Sequence, residues 1–169
     1  QGANFFQTEL KDTIYKLCKK NNLSIYHQVN KDNLKSLEFF YRKNNIDFNL
    51  FDFSYSLDNI LKKTDFCITR AGASTLAELV HFEVPFLTIP FPYSKDNHQL
   101  YNAQFYNDLN CCWLIQQKDI SKKNLYEIIS NMILNTKDIQ LKKKAMNELS
   151  LQNTWEKNNK LIIKTVYEN

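Results

Sequence analysis

Residues 70–103 constrain the fold of this chain more than any other segment, and they read RAGASTLAELVHFEVPFLTIPFPYSKDNHQLYNA. A short apolar strand precedes them. A turn of small residues then leads into a helix, and a second strand ends in a polar loop that begins at Pro90. In a parallel sheet this order brings a helix N-terminus and several amide and hydroxyl groups to one sheet edge. Free backbone N–H groups and the helix dipole attract phosphate, so the segment predicts a site for a nucleotide-linked ligand.

The rest of the chain alternates between helical and extended patterns. We predict helices over 5–21, 33–42, 57–63, 74–82 and 99–109, with strands over 23–29, 48–53, 66–69, 85–89 and 112–115. From residue 121 onward the apolar spacing predicts helices, two of them over 137–149 and 154–167. This alternation is typical of an α/β fold, a Rossmann-like doubly wound parallel sheet. The chain opens at a turn into a helix, so we expect a fragment that lacks the first strand of that fold.

Composition places the chain among globular domains. It has 169 residues, 43% of them hydrophobic, which suits one domain with a packed core. The net charge of +4 is mild and comes almost entirely from lysine, so we expect no nucleic-acid partner. No apolar run approaches the roughly 20 residues that cross a bilayer. The four cysteines have no zinc-site spacing, and we interpret them as reduced core residues of a cytosolic protein: Cys18, Cys67, Cys111 and Cys112.

The turn after Arg70 is the first candidate site. Ser74 or Thr75 is predicted to begin a helix and to offer a hydroxyl beside free N–H groups. Because glycine is rare in this chain, Gly72 suggests a position where the backbone needs conformational freedom. Glu78, one turn into the helix, has two interpretations. Its carboxylate suits a ribose diol, or it pairs with Ser74 or Thr75 in a capping box. The alternative for Arg70 is a surface ion pair.

The loop after the second strand is the other candidate site. Amide and imidazole groups at Asn97, His98, Gln99 and Asn102 suit sugar hydroxyls, because each amide both donates and accepts hydrogen bonds. His98 is a possible general base with Asp96 as its orienting acid, although we favour ligand contact without a catalytic role. Gln1, Gly2 and Ala3 form a third, weaker candidate for a phosphate-binding turn.

These motifs together resemble a known family. The run DFCITRAGASTLAEL, followed by PFLTIPFPYSKDNHQLYNA, is similar to the C-terminal half of the MurG family of glycosyltransferases. The opening Gln1-Gly2-Ala3 resembles the end of that family's GGSQGA loop. The resemblance covers residues 1 to about 165 and is most specific over the central segment.

The resemblance implies a role for each matching position. It places Gln1 and the turn from Gly72 through Ala73 and Ser74 to Thr75 near a diphosphate. It places Phe53 and Ser54 at uracil and Glu78 on the ribose hydroxyls. The remaining matching residues contact the sugar or complete the donor site, and they are Arg70, His98, Gln99 and Asn102.

The resemblance also implies a fold and an activity. The chain would be one half of a GT-B fold, with residues 1–169 as the UDP-sugar binding domain and terminal helices from about 137. The family's reaction transfers N-acetylglucosamine from UDP-GlcNAc to lipid I, giving lipid II for peptidoglycan, by inversion and without a metal or another cofactor. An N-terminal domain absent from this chain would supply the lipid I site, the general base and peripheral contact with the cytoplasmic face of the bacterial inner membrane. We therefore expect no turnover from this chain alone.

Two alternatives stay open. The chain could be the donor-binding subunit of a split UDP-sugar glycosyltransferase that works with a separate acceptor chain, or a non-catalytic module that binds nucleotide sugars. A dinucleotide oxidoreductase is disfavoured because the chain has no GxGxxG motif.

Overall fold

The computed structural model describes residues 4–8, 10–120 and 125–152. The helices are α1 (Asn4–Thr8), α2 (Lys11–Asn21), α3 (Lys31–Lys43), α4 (Leu57–Leu61), α5 (Ala73–His81), α6 (His98–Asp108), α7 (Leu125–Leu134) and α8 (Thr136–Gln152). The strands are β1 (Ser24–Gln28), β2 (Asp47–Phe51), β3 (Cys67–Thr69), β4 (Phe86–Thr88) and β5 (Cys112–Leu114). Short 3-10 turns cover Lys95–Asn97 and Gln117–Asp119.

The predicted elements are confirmed to within a few residues, apart from both ends of the chain. The helix predicted over 5–21 is interrupted, because the N–H of Leu10 bonds to the carbonyl of Phe5, five residues back, at 3.3 Å. This wide turn ends α1, and α2 starts afresh at Lys11. The final predicted helix, over 154–167, lies outside the described residues.

All strand pairs in the described residues are parallel, which confirms the predicted α/β class. β1 pairs with β2, and β4 lies between β3 and β5 in a second sheet. The chain divides into two compact units, Gln1–Lys63 with Lys118–Asn135 and Thr64–Gln117 with Thr136–Asn169. The assignment of 1–169 to a single donor domain stays a prediction.

Three helices end in the same way, and these ends direct the chain into its strands. Asn45, Glu83 and Asn110 have positive φ angles of 49°, 53° and 58°. The residue after each one donates its N–H to a carbonyl five residues back, at 2.8–3.1 Å. This is the Schellman arrangement, in which a left-handed residue closes a helix. Asparagine tolerates that conformation better than most residues, which suits a chain with only 2 glycines.

Each unit has its own buried centre. In the first unit, Tyr41 is fully buried and its hydroxyl lies 3.0 Å from Nδ1 of His27 on β1. Burial lowers the pKa of His27. In the second unit, every residue of β4 is buried, as expected for the middle strand of a sheet covered on both faces. Burying a side chain such as Phe86 contributes roughly 1.5–3 kcal/mol.

The cysteines are free thiols in or near these centres. Cys18, Cys111 and Cys112 are buried, and Cys67 is half-buried. Burial raises the pKa of Cys67 to about 12, so its thiol stays protonated at neutral pH. Of the helices in the described ranges, none is both long and apolar enough to cross a bilayer.

Candidate functional site

The N-terminus of α5 presents unpaired backbone donors. The helix begins at Ala73, and its first backbone bond runs from the N–H of Leu76 to the carbonyl of Gly72, at 3.0 Å. The N–H groups of Ala73, Ser74 and Thr75 therefore find no acceptor within the described residues. We call these three N–H groups the amide cradle. They lie at the positive end of the helix dipole, where a phosphate binds well.

Polar side chains line one face of the same helix. Ser74, Thr75 and Glu78 are exposed, whereas Leu76 and Leu79 on the opposite face are buried. The spacing of three and four residues places the two hydroxyls and the carboxylate on neighbouring turns. In the described part of the chain, no hydrogen bond or ion pair engages the side chain of Glu78, whose backbone carbonyl accepts from the N–H of Phe82.

The capping box considered for Glu78 is not formed. The N-cap of α5 is Gly72, which has no side chain, and no side-chain hydrogen bond caps the helix. A capping box needs an acid at the third helical position, and that position holds Thr75. Glu78 lies one turn further along, so its carboxylate is left for another partner.

Gly72 does not occupy a left-handed conformation. Its φ is −69° and its ψ is 133°, values that any residue adopts. The expectation of special backbone freedom is therefore wrong here. A Cβ at this position would meet Thr75 Oγ1 at 3.7 Å, an ordinary contact. The fold tolerates a side chain at Gly72, so what the glycine provides is open space beside the amide cradle.

The peptide that leads into α5 is held from α6. Oε1 of Gln99 accepts from the N–H of Ala71 (3.2 Å) and of Phe91 (3.0 Å), and Nδ2 of Asn102 donates to the carbonyl of Ala71 (3.1 Å). Both lone pairs of Oε1 are thus used. Gln99 can offer a ligand only N–H donors, and Asn102 offers its side-chain carbonyl oxygen, which accepts no hydrogen bond from the described residues.

The loop before α6 has an unusual backbone. Asp96 and Asn97 are consecutive left-handed residues, with φ angles of 50° and 55°. Nδ1 of the exposed His98 lies 2.7 Å from the carbonyl of Lys95. A carbonyl only accepts, so Nδ1 carries the proton, and Nε2 of the neutral ring is an acceptor. The orienting group is therefore the Lys95 carbonyl and not Asp96, which makes no hydrogen bond to His98 among the described contacts.

Arg70 is half-buried, and its side chain forms hydrogen bonds at the carboxyl edge of the second sheet. Its guanidinium donates to the carbonyls of Ile89 (2.9 Å) and Pro90 (3.1 Å) and to Oε1 of Gln117 (2.8 Å). The ring centroid of Phe91 lies 5.5 Å away. Burial lowers the pKa of Arg70 to about 10, so it stays charged at neutral pH. The surface ion pair and the ligand contact considered for Arg70 both stay predictions.

Gln117 was not among the site residues predicted from the sequence, although its position after a strand could have identified it. It follows the third strand of the second sheet, as Arg70 follows the first and Pro90 the second. Polar residues at the carboxyl ends of parallel strands meet at one edge. Applying that rule to β5 as well would have included it.

The remaining predicted residues lie in the first unit. Phe53 and Ser54 follow β2, where Phe53 is 65% exposed and packs edge-on against the 97% exposed Tyr55, with centroids 4.9 Å apart. Ser54 Oγ accepts from the N–H of Ser56 at 3.2 Å. The N–H of Phe53 donates to Asp52, which holds the pKa of that carboxyl below its usual value. Gln1 lies outside the described residues, so its predicted role is not addressed by the structure.

The structure thus brings together the predicted residues of the second unit. The turn from Gly72 to Glu78 is joined through Ala71 to Gln99 and Asn102. The described ranges hold no group of three or more His, Cys, Asp or Glu side chains placed to bind a metal ion. The expectation of a reaction without metal stays a prediction.

The chain matches a known protein family and several curated relatives. Residues 1–161 match the glycosyltransferase family 28 C-terminal domain. A protein of Pelagibacter ubique (strain HTCC1062) is 46% identical over 169 residues, covering 100% of this chain and 48% of its own length. One of Campylobacter fetus subsp. fetus (strain 82-40) is 36% identical over 136 residues, or 80% of this chain and 40% of that protein. Both are named UDP-N-acetylglucosamine--N-acetylmuramyl-(pentapeptide) pyrophosphoryl-undecaprenol N-acetylglucosamine transferase.

A solved structure is similar in fold. The crystal structure of Acinetobacter baumannii MurG superposes with a TM-score of 0.76 at 23% identity, covering 87% of this chain and 42% of that one. This likeness supports the Rossmann-like half-domain predicted from the sequence. The chain spans about half the length of the curated relatives that it matches.

Proposed function

Because the chain belongs to the glycosyltransferase family 28 C-terminal domain family, we propose that it is the donor-binding domain of an inverting, UDP-GlcNAc-dependent glycosyltransferase. Its membership confirms the resemblance to the C-terminal half of MurG. The proposed reaction transfers N-acetylglucosamine from UDP-GlcNAc to lipid I, giving lipid II in peptidoglycan synthesis. The names of the relatives support this choice of sugar and acceptor.

The observation that carries the proposal is the amide cradle beside Glu78. The three N–H groups at the start of α5, which find no acceptor in the described ranges, suit the diphosphate of UDP, whose charge rises as it leaves the anomeric carbon. The Glu78 carboxylate, exposed on the same face, is placed one turn further along for the ribose diol. A carboxylate accepts two hydroxyl donors at once, which suits a vicinal diol.

The other polar groups suit the sugar. Gln99 offers N–H donors and Asn102 a carbonyl oxygen, both with orientations set by Ala71. Nε2 of His98 is available as an acceptor on the neighbouring turn. Together these groups would orient the hexose for attack on its anomeric carbon, which is positioning rather than bond-making chemistry. Ser54 and Phe53 are proposed to contact uracil.

The rest of the proposed enzyme belongs to the half of the relatives that this chain does not match. We place the lipid I site, the general base and the peripheral contact with the cytoplasmic face of the inner membrane there. The chain by itself is then expected to bind donor without transferring it.

Calorimetric titration tests the proposal. The 169-residue chain should bind UDP-GlcNAc and UDP, and ADP should bind more weakly because it replaces uracil with a larger base. Absence of heat with either uridine ligand would overturn the assignment. Donor binding with no transfer to lipid I, even after addition of an acceptor domain from a relative, would favour a non-catalytic nucleotide-sugar module. Transfer that appears only on adding a separate natural acceptor chain would favour a split enzyme.

A further inference from the structure

The side chain of Arg70 links the carboxyl ends of the strands in the second sheet. Arg70 follows β3, Ile89 and Pro90 follow β4, and Gln117 follows β5. One terminal guanidinium nitrogen donates to both carbonyls after β4, at 2.9 and 3.1 Å. The other donates to Oε1 of Gln117 at 2.8 Å. A planar, rigid donor group thus holds three neighbouring strand ends at fixed separations.

We infer that Gln117 is a positioning residue of the donor site, which acts through Arg70 to set the distance between the amide cradle and the donor loop, residues 90–99. The inference rests on the proposed function. Gln117 has no role in the predicted ligand contacts. It lies 47 residues from Arg70 in sequence, so the pairing is a product of the fold alone.

The position of Arg70 explains why its orientation matters for both parts of the site. Its backbone leads through Ala71 and Gly72 directly into the amide cradle, while its side chain holds Pro90, the first residue of the donor loop. A shift of the guanidinium therefore moves the cradle relative to the loop. Gln117 restrains that shift, because its amide oxygen fixes the end of the guanidinium that does not contact Pro90.

The two halves of a nucleotide sugar should respond differently to such a shift. The diphosphate of UDP meets the cradle, which keeps its own geometry within α5. The sugar of UDP-GlcNAc must in addition meet the donor loop at the correct distance. Loss of the Gln117 restraint should thus weaken UDP-GlcNAc binding more than UDP binding. A residue that only stabilises the fold would weaken both equally.

The experiment compares Gln117→Leu with Gln117→Glu in the 169-residue chain. Leucine keeps the approximate size and removes the acceptor, whereas glutamate keeps an oxygen for Arg70. Titration calorimetry gives the dissociation constants for UDP and UDP-GlcNAc, and thermal unfolding confirms that each variant is folded. We expect the preference for UDP-GlcNAc over UDP to fall about tenfold in Gln117→Leu, the change expected when one hydrogen bond to the sugar is misplaced. Gln117→Glu should retain the wild-type preference.

Each other result counts against the inference. Equal weakening of both ligands in Gln117→Leu, or no change in either, would overturn it while the proposed function stands. A wild-type chain that binds neither ligand would remove the proposed function and this inference together. If Gln117→Leu does not fold, Gln117→Asn replaces it, since the shorter amide withdraws the oxygen from Arg70, and the same fall in preference is expected.

Discussion

The ammonium group of Lys142 lies 4.5 Å from the centroid of the Trp113 ring, which joins α8 to β5 inside the second unit. Lys142 is only 4% exposed. Its Nζ donates to Oδ1 of Asn110 at 3.0 Å and lies 3.8 Å from Asp138. Asp138 in turn accepts from Nε1 of Trp113 at 2.9 Å. A buried lysine thus has a carboxylate, an amide oxygen and an aromatic face as partners.

Lys142→Ala should lower the free energy of unfolding by about 2–3 kcal/mol, since it removes one partner of a largely buried ion pair and the aliphatic stem that packs on Trp113. Urea denaturation measures this change. The matched control is Lys144→Ala on the same helix, whose side chain is 74% exposed and lies 3.9 Å from Glu148. That control should change stability by less than about 1 kcal/mol. Similar losses in the two variants would contradict the role given to Lys142.

Gly72→Ala should weaken the binding of UDP while leaving the stability of the fold nearly unchanged. The glycine has an ordinary φ and an open Cβ position, so alanine should reduce the entropy of the unfolded chain, but alanine is a poorer N-cap than glycine. The two effects oppose each other, and the free energy of unfolding should change by less than about 1 kcal/mol. The new methyl group would occupy the space beside the amide cradle and weaken UDP binding. Urea denaturation and calorimetry on the same sample measure the two effects. A variant that is clearly less stable but binds UDP with wild-type affinity would contradict this prediction.

Glu78→Ala should weaken UDP binding by ~1–3 kcal/mol, because it removes charge-assisted hydrogen bonds to the ribose. The fold should be unaffected, since the Glu78 side chain is exposed and makes no hydrogen bond or ion pair within the described residues. Glu127→Ala, an exposed acid in the first turn of α7, is the control and should bind UDP normally. Unchanged affinity in folded Glu78→Ala would remove the ribose assignment.

Stability should fall as the pH is lowered through the titration of His27. Burial lowers the pKa of this side chain in the folded chain, so the unfolded state binds the proton more readily. The free energy of unfolding should be constant above the unfolded pKa of about 6.5 and should decline from there towards the lower folded pKa. Urea denaturation between pH 7.5 and 5.5 measures the slope. His27→Gln should flatten it, and an equally steep slope in that variant would exclude His27 as the cause.

The order and type of most elements could be predicted because they depend on local patterns. The spacing of Leu34, Leu37 and Phe40 identifies α3, and β4 is an apolar run between Pro85 and Pro90. The strand ends then identified most of the candidate site, since parallel strands align their carboxyl ends. The contact between Asn102 and the Ala71 carbonyl is consistent with that rule.

What the sequence did not predict depends on contacts between distant residues. Gln117 is one hydrogen-bond partner of Arg70, and no local pattern relates the two residues. Lys142 has the appearance of a surface lysine among its charged neighbours, and only the packing of α8 on Trp113 buries it. The capping-box interpretation of Glu78 failed because the helix begins at Ala73, and helix ends are the part of a periodic pattern that is least well defined.

The left-handed pair at Asp96 and Asn97 has a consequence for how quickly a ligand can be accommodated. Aspartate and asparagine adopt that region at lower cost than other non-glycine residues, and the cost is met when the chain folds and not when a ligand arrives. A loop shaped in advance needs no rearrangement step after encounter. Ligand binding at this loop should therefore show a single kinetic phase whose rate rises with ligand concentration, and no slower conformational step should follow it.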